Sequence, residues 1–231
     1  MLAVEHLPAV GLSVVGWATC FGVSAAVSGK RYDAEFKGRA VSILHALVIV
    51  GLSLYVDGGD VATTFAHGDL SPGRRAILIL ATGYFLWDLV LCFMAPDVLM
   101  NLAHHVVSLA STLYPLLSGN GAQLLVAVLW TLEVPNPFMN LRFMLRAAEK
   151  GRSSYGLVNE VLFAAAYFVA RGYFGVRLWW ATIAAPCPLF LRAMSSLMLV
   201  VSTLWGVKIA QVAGYKIRQL LKMVTGGKKK A

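Results

Sequence analysis

The sequence predicts an all-α polytopic membrane protein, a bundle of about seven transmembrane helices around a polar-lined cavity. Composition is the first ground: 58% of the 231 residues are hydrophobic and 13% are charged, whereas a soluble domain is about a quarter charged. The second is a series of apolar runs near the roughly 20 residues that cross a hydrocarbon core of about 30 Å. The third is that short basic segments separate those runs, as membrane orientation requires.

Taken in order, Pro8 to Val27 is uncharged. No basic residue precedes it, and it exceeds the roughly 7 to 15 residues of a signal-peptide core, so it reads as a retained first helix. Lys30, Arg31, Lys37 and Arg39 mark a basic loop before a second span, Ala40 to Val56. Asp57 to Arg75, with Gly58-Gly59 and Ser71-Pro-Gly, reads as a connection. The third span is Ala76 to Ala95, stopped by Pro96, and the fourth is Val98 to Ser118, stopped by Gly119-Asn-Gly. A fifth begins near Gly121 and is broken by Pro135 and Pro137, which remove helix donors and free carbonyls one turn earlier. The sixth is Tyr155 to Ala170. Leu178 to Arg192, with Trp179-Trp180 and Pro186-Cys-Pro188, reads as interfacial or re-entrant, and Ala193 to Ala210 as the last span. The organisation is one unit: residues 1–38 hold the first helix and its loop, 39–211 the main domain, and 212–231 a basic tail.

Seven spans with the amino terminus outside put Lys30, Arg31, Lys37, Arg39, Arg142, Arg146, Lys150, Arg152 and the tail on the cytosolic side. Arg74, Arg75, Arg171 and Arg177 lie opposite. The positive-inside rule favours this topology, and it accounts for the net charge of +9 without a nucleic-acid partner. The chain ends Lys228-Lys229-Lys230-Ala231. That end reads either as a dilysine retrieval address recognised by coat proteins, which implies endoplasmic reticulum or Golgi residence, or as a solvated basic end touching acidic lipids. Cys20, Cys92 and Cys187 show no disulfide or zinc spacing. Small residues in the first span, Gly11, Gly16, Gly22 and Ala25, suit packing within one chain or in a homo-oligomer.

The chain is organised around Asn101-Leu-Ala-His104-His105-Val-Val-Ser108-Leu-Ala-Ser111-Thr112, which places two imidazoles and a polar stripe in an apolar run. Ionisable groups inside a bilayer are costly unless they face a cavity or a partner, so they mark function. His45, Asp88, His104, His105 and Glu133 come from four spans. At 1.5 Å per residue, each lies about 9 to 14 Å from the same face. Tyr84 and Cys92 lie one turn either side of Asp88, and Asn136 and Asn140 follow Glu133 at helical spacing. A carboxylate beside an imidazole fixes its tautomer and raises its basicity, as general-base or nucleophilic chemistry requires. The competing reading is structural, since membrane helices also use such groups as interhelical hydrogen bonds. No metal is expected: adjacent histidines diverge by about 100° on a helix, and no HExxH pair occurs.

These residues carry a family resemblance. Arg39-x5-His45, Gly83-Tyr-Phe-Leu-Trp-Asp88, Met100-Asn-Leu-Ala-His104-His105 and Glu133-Val-Pro-Asn136-Pro-Phe-Met-Asn140-Leu-Arg142 together resemble the TLC domain shared by TRAM, ceramide synthases and the CLN-eight protein. Within it, the chain is most similar to the transmembrane protein 136 type. Arg171 and Trp205 also fall where such proteins carry Arg and Trp. The resemblance implies membrane lipids as partners, with His104 or His105 as nucleophile or base and Glu133 as an orienting acid. Asp88 joins them as a catalytic candidate, and His45, Tyr84, Ser108, Asn136 and Asn140 as lipid-binding ones. It implies no resident cofactor, acyl-CoA being a co-substrate. The ceramide synthase motif has a second Asp where this chain has Asn136, and a Ser-Tyr pair that it lacks. The expected activity is therefore acyl transfer from acyl-CoA to some lipid acceptor. The alternatives are non-enzymatic lipid sensing and cargo escort between endoplasmic reticulum and Golgi.

Overall fold

A computed structural model describes residues 5–61, 65–93 and 98–226. Every regular element among them is helical. The first four are α1 (Leu7–Ser28), α2 (Ala34–Asp57), α3 (Pro72–Cys92) and α4 (Val98–Ser118). Both α2 and α3 begin before the expected apolar boundary, because their polar first turns are capped. Asp33 accepts the Phe36 N–H at 2.9 Å, and Ser71 accepts the Arg74 N–H at 3.4 Å. A Glu35–Arg39 pair at 2.8 Å extends the support along α2.

The proline pair divides the fifth crossing into α5 (Ala122–Glu133) and α6 (Asn136–Ala147). The next crossing differs from expectation. α7 (Ser154–Tyr167) does not stop near Ala170 but passes through a π-helical turn, Phe168–Phe174, into α8 (Gly175–Ala184). Residues 178–184 thus complete a 31-residue stretch, and the chain turns at Ala185 before α9 (Leu189–Gly226). Packing decides the outcome: Leu178 is buried in the core, and Trp179 donates its indole N–H to Ser196 Oγ on α9 at 3.0 Å. Six helical stretches among the described residues are long and apolar enough to cross a membrane. α4, 21 residues without Asp, Glu, Lys or Arg, lies where the sequence places its fourth span but is not among those six. The Pro96 stop and the Lys228–Ala231 end lie outside the described residues, as does the side chain of Asn101.

α3 and α5 form the centre of the bundle, Ile77, Leu78, Ala81 and Phe85 sharing one buried cluster with α5 residues such as Leu124 and Val126. α1 is peripheral and shows Leu12, Val15 and Val27 outward, the pattern of a lipid-facing helix. Its inner face is held by Trp17 and Ser13, which donate to the Leu80 carbonyl at 3.0 and 3.3 Å. The approach depends on Gly83, where a Cβ would stand 2.4 Å from Ser13 Cβ and 3.0 Å from its backbone carbon. Gly83→Val is expected to cost about 1–3 kcal/mol through overpacking, read as a lower Tm in detergent. Gly16→Val, where nothing stands within 4 Å, serves as the control and should melt like the parent. Gly11 and Gly22 are equally open, so these glycines do not pack within the chain.

One end of the bundle is tied by its loops. Asp69 accepts the N–H groups of Ala122 and Gln123 at 2.8 Å each, satisfying the start of α5 from the α2–α3 connection. Arg74 forms a forked pair with Asp57 at 2.9 to 3.1 Å, and Gly121 N–H bonds the Ala66 carbonyl at 2.8 Å. The opposite end carries the α1–α2 and α6–α7 connections, and there the bundle opens.

Candidate functional site

Two imidazole–carboxylate pairs form inside the bundle. The first joins α2 to the α5–α6 break. His45, fully buried, places Nδ1 3.6 Å from Glu133 Oε2, and Asn136 Nδ2 donates to the same oxygen at 2.8 Å. Arg171, aimed from the π-helical turn, donates through Nη2 to the Leu132 carbonyl at 2.8 Å and to Asn136 Oδ1 at 3.1 Å. Leu132 lies between Thr131 and Glu133, whose carbonyls Pro135 and Pro137 cannot serve, so the arginine binds the backbone beside the break. Its guanidinium also faces the rings of Tyr167 and Trp205, at 5.3 and 5.7 Å.

The second pair joins α3 to α4. His105 Nε2 lies 2.6 Å from Asp88 Oδ2, and its Nδ1 lies 3.3 Å from Cys92 Sγ. As a neutral imidazole that donates Nε2–H to the carboxylate, His105 would turn an unprotonated Nδ1 to the thiol. Asp88 and Cys92, one turn apart on α3, thereby hold opposite edges of one ring. Their donor atoms and that of His105 all lie within 4.8 Å of one another, the spacing of a metal site. A single ion, however, could take only one edge of the ring, while the two neighbours use both. The arrangement suits a hydrogen-bond relay better than coordination.

His104 points elsewhere: its ring centre is 5.3 Å from that of His105 at 89°, and 5.4 Å from the Trp205 ring. Tyr84 stacks on His45 at 3.6 Å and donates its hydroxyl to Ser42 at 2.8 Å. Asn140 accepts from Arg39 at 3.0 Å and donates to the Asn136 carbonyl at 3.0 Å.

A cavity of about 340 Å³ opens beside the start of α2. Asp88, His104, His105 and Glu133 line it, as do Tyr84, Asn136 and Asn140. A narrower chamber of about 70 Å³ lies among Leu124, Leu178, Met198 and their neighbours, and Ser108 faces it. The two share His104, Glu133, Arg171 and Phe85 as walls, so a polar compartment adjoins an apolar one at those residues. His45 lines neither; it sits behind Tyr84, enclosed by Trp17 and Phe85.

The catalytic and binding candidates thus gather around one cavity, apart from Ser108, which faces the adjoining chamber, and His45 behind the wall. The acid beside His105 is Asp88, whereas Glu133 faces His45. Cys92 received no role in the sequence reading, although its spacing from Asp88 was visible there. Arg39 is a further wall residue, which the sequence marks only as part of a basic loop and of the motif Arg39-x5-His45.

Fold and cavity define a multi-pass helical membrane protein with a polar pocket that runs into an apolar one. A family model described as TLC domain matches residues 35–213, and the chain belongs to that family. Membership points to a function concerned with membrane lipids. The chain is similar to TLC domain-containing protein 4 C of Dictyostelium discoideum, 23% identical over 150 residues, which are 62% of this chain and 53% of that protein. The match therefore spans about half the length of that relative.

Proposed function

We propose that the protein binds a lipid acyl chain in the apolar chamber and transfers an acyl group from an acyl-CoA thioester to a lipid amine or hydroxyl. The supporting observation is the junction itself. There the polar and apolar compartments share His104, Glu133 and Arg171, and beside it His105 is paired with Asp88. Arg171 Nε and Nη1 and His104 Nδ1 are buried without a hydrogen-bond partner. A carbonyl seated at the junction would satisfy such groups, and donors aimed there would stabilise charge developing on its oxygen. The basic end faces the cytosol in this reading, so acyl-CoA reaches the cavity mouth directly, and the organelle is endoplasmic reticulum or Golgi. The finer likeness to the transmembrane protein 136 type rests on the motif residues.

The test is purified protein in nanodiscs with labelled acyl-CoA and a lipid extract. Labelled product and copurifying lipid are expected from the wild type. Well-folded protein that forms no product opposes acyl transfer.

Lipid sensing without chemistry is the second reading. It is favoured by the contacts among His45, Glu133, Asn136 and Arg171, which tie several helices to one another. It expects lipid to copurify while no product forms, and a lipidome shift on deletion that the His105→Ala protein still reverses. Cargo escort rests on the Lys228–Ala231 end, and trimming those four residues should then relocate the protein.

A further inference from the structure

Cys92 is set apart from the other two cysteines by its surroundings. Cys20, on α1, and Cys187, in the turn before α9, line neither compartment. Cys92 is buried, lines the larger cavity, and lies 3.3 Å from Nδ1 of an imidazole whose far edge is held by a carboxylate at 2.6 Å. A cysteine in apolar packing is an inert small hydrophobe. A thiol, a base and a group orienting the base, in that order and within hydrogen-bond reach, are the arrangement of an activated nucleophile. The backbone builds it from two helices: the one-turn spacing on α3 brings Asp88 and Cys92 to one side, and α4 lays His105 between them.

We propose that Cys92 is a thiol nucleophile that carries the acyl group as a covalent thioester, with His105 as its base and Asp88 as the residue positioning the base. The inference rests on the acyl-transfer reading and specifies how the chain is held between donor and acceptor. His105 Nδ1 takes the Cys92 proton as sulfur attacks the carbonyl carbon of the donor thioester. The tetrahedral intermediate collapses, the bond to the donor sulfur breaks, and that sulfur leaves as coenzyme A thiol with the proton from His105. In the second half, the amine or hydroxyl of the lipid acceptor attacks the Cys92 thioester. It gives its proton to His105, and Cys92 leaves and takes that proton back. One thioester is exchanged for another and then for an amide or ester, with no oxidant or metal required. Because the two half-reactions use the same base, the acceptor can enter after the first thiol has left, so a single cavity suffices for both.

The experiment uses full-length protein in nanodiscs, quenched after mixing with palmitoyl-CoA in the absence of acceptor lipid. Intact mass and peptide fragmentation should show one palmitoyl group on Cys92, released by neutral hydroxylamine. Cys92→Ala should carry none and should lose at least about 100-fold in turnover when acceptor is present. Cys92→Ser keeps the shape and should give a slowly formed adduct that resists neutral hydroxylamine, as an oxygen ester does. Cys20→Ala and Cys187→Ala should be acylated like the wild type. Elution profile and copurifying lipid equal to wild type certify the variants as folded.

No Cys92 adduct under acceptor-free conditions overturns the inference, as does an acyl group found on His104 or His105. Near-normal turnover by Cys92→Ala does the same, and so does a stoichiometric metal ion that is lost in that variant. If product still forms in any of these cases, acyl transfer stands and only the thioester falls. Wild type that forms neither adduct nor product overturns both.

Discussion

His105→Ala is expected to remove acyl transfer almost completely, by about 10²–10⁴-fold, the range that loss of a positioned base costs. The imidazole holds two partners, and its removal leaves Asp88 and Cys92 facing a hole. Asp88→Asn should fall between wild type and His105→Ala, because the amide can still hold the ring but no longer fixes the proton on Nε2. Turnover in nanodiscs with labelled acyl-CoA reads both variants, and copurified lipid serves as the binding control. A His105→Ala protein that binds lipid and turns over normally would remove the His105–Asp88 pair as the catalytic centre. His104→Ala is expected to act differently, since that ring stands against Trp205 at the junction. It should raise KM for the acyl donor as well as slow turnover.

Arg171→Ala is expected to show the largest stability effect. The guanidinium is buried, and it satisfies both the Leu132 carbonyl and Asn136 Oδ1 at the proline break. Deleting it strands two polar groups inside the membrane, each at about 1–3 kcal/mol, and removes the cation between Tyr167 and Trp205. The detergent-solubilised protein should therefore melt well below wild type. Arg171→Lys restores charge without the fork and should recover only part of the loss. An Arg171→Ala protein with wild-type Tm would mean that the break is satisfied by other groups.

Much of this site was legible because ionisable residues stand out in apolar helices. His104, His105, Asp88 and Glu133 were visible for that reason, as was their common depth. Which acid faces which imidazole was not. That depends on the rotation of α3, α4 and the two halves of the broken helix about their axes, which spacing along one helix does not specify. The π-helical turn was also invisible. It inserts no marker residue, yet it carries Arg171 to the proline break and leads the helix on through 178–184. Trp179-Trp180 suggested a membrane surface, and the contact of Trp179 with Ser196 shows an indole serving as a helix-to-helix tie instead. The starts of α2 and α3 were read late because charge there resembled loop, whereas capping made those turns helical.

The network around Asp69 and Arg74 has a mechanical corollary. A bundle stapled at this rim would widen by splaying the other, where the ties that must yield are Arg39 to Asn140 and Arg142 and Arg146 to Glu160. Admission of a bulky amphiphile, and the pace of its departure, are thereby set by how stiffly the far rim is fastened.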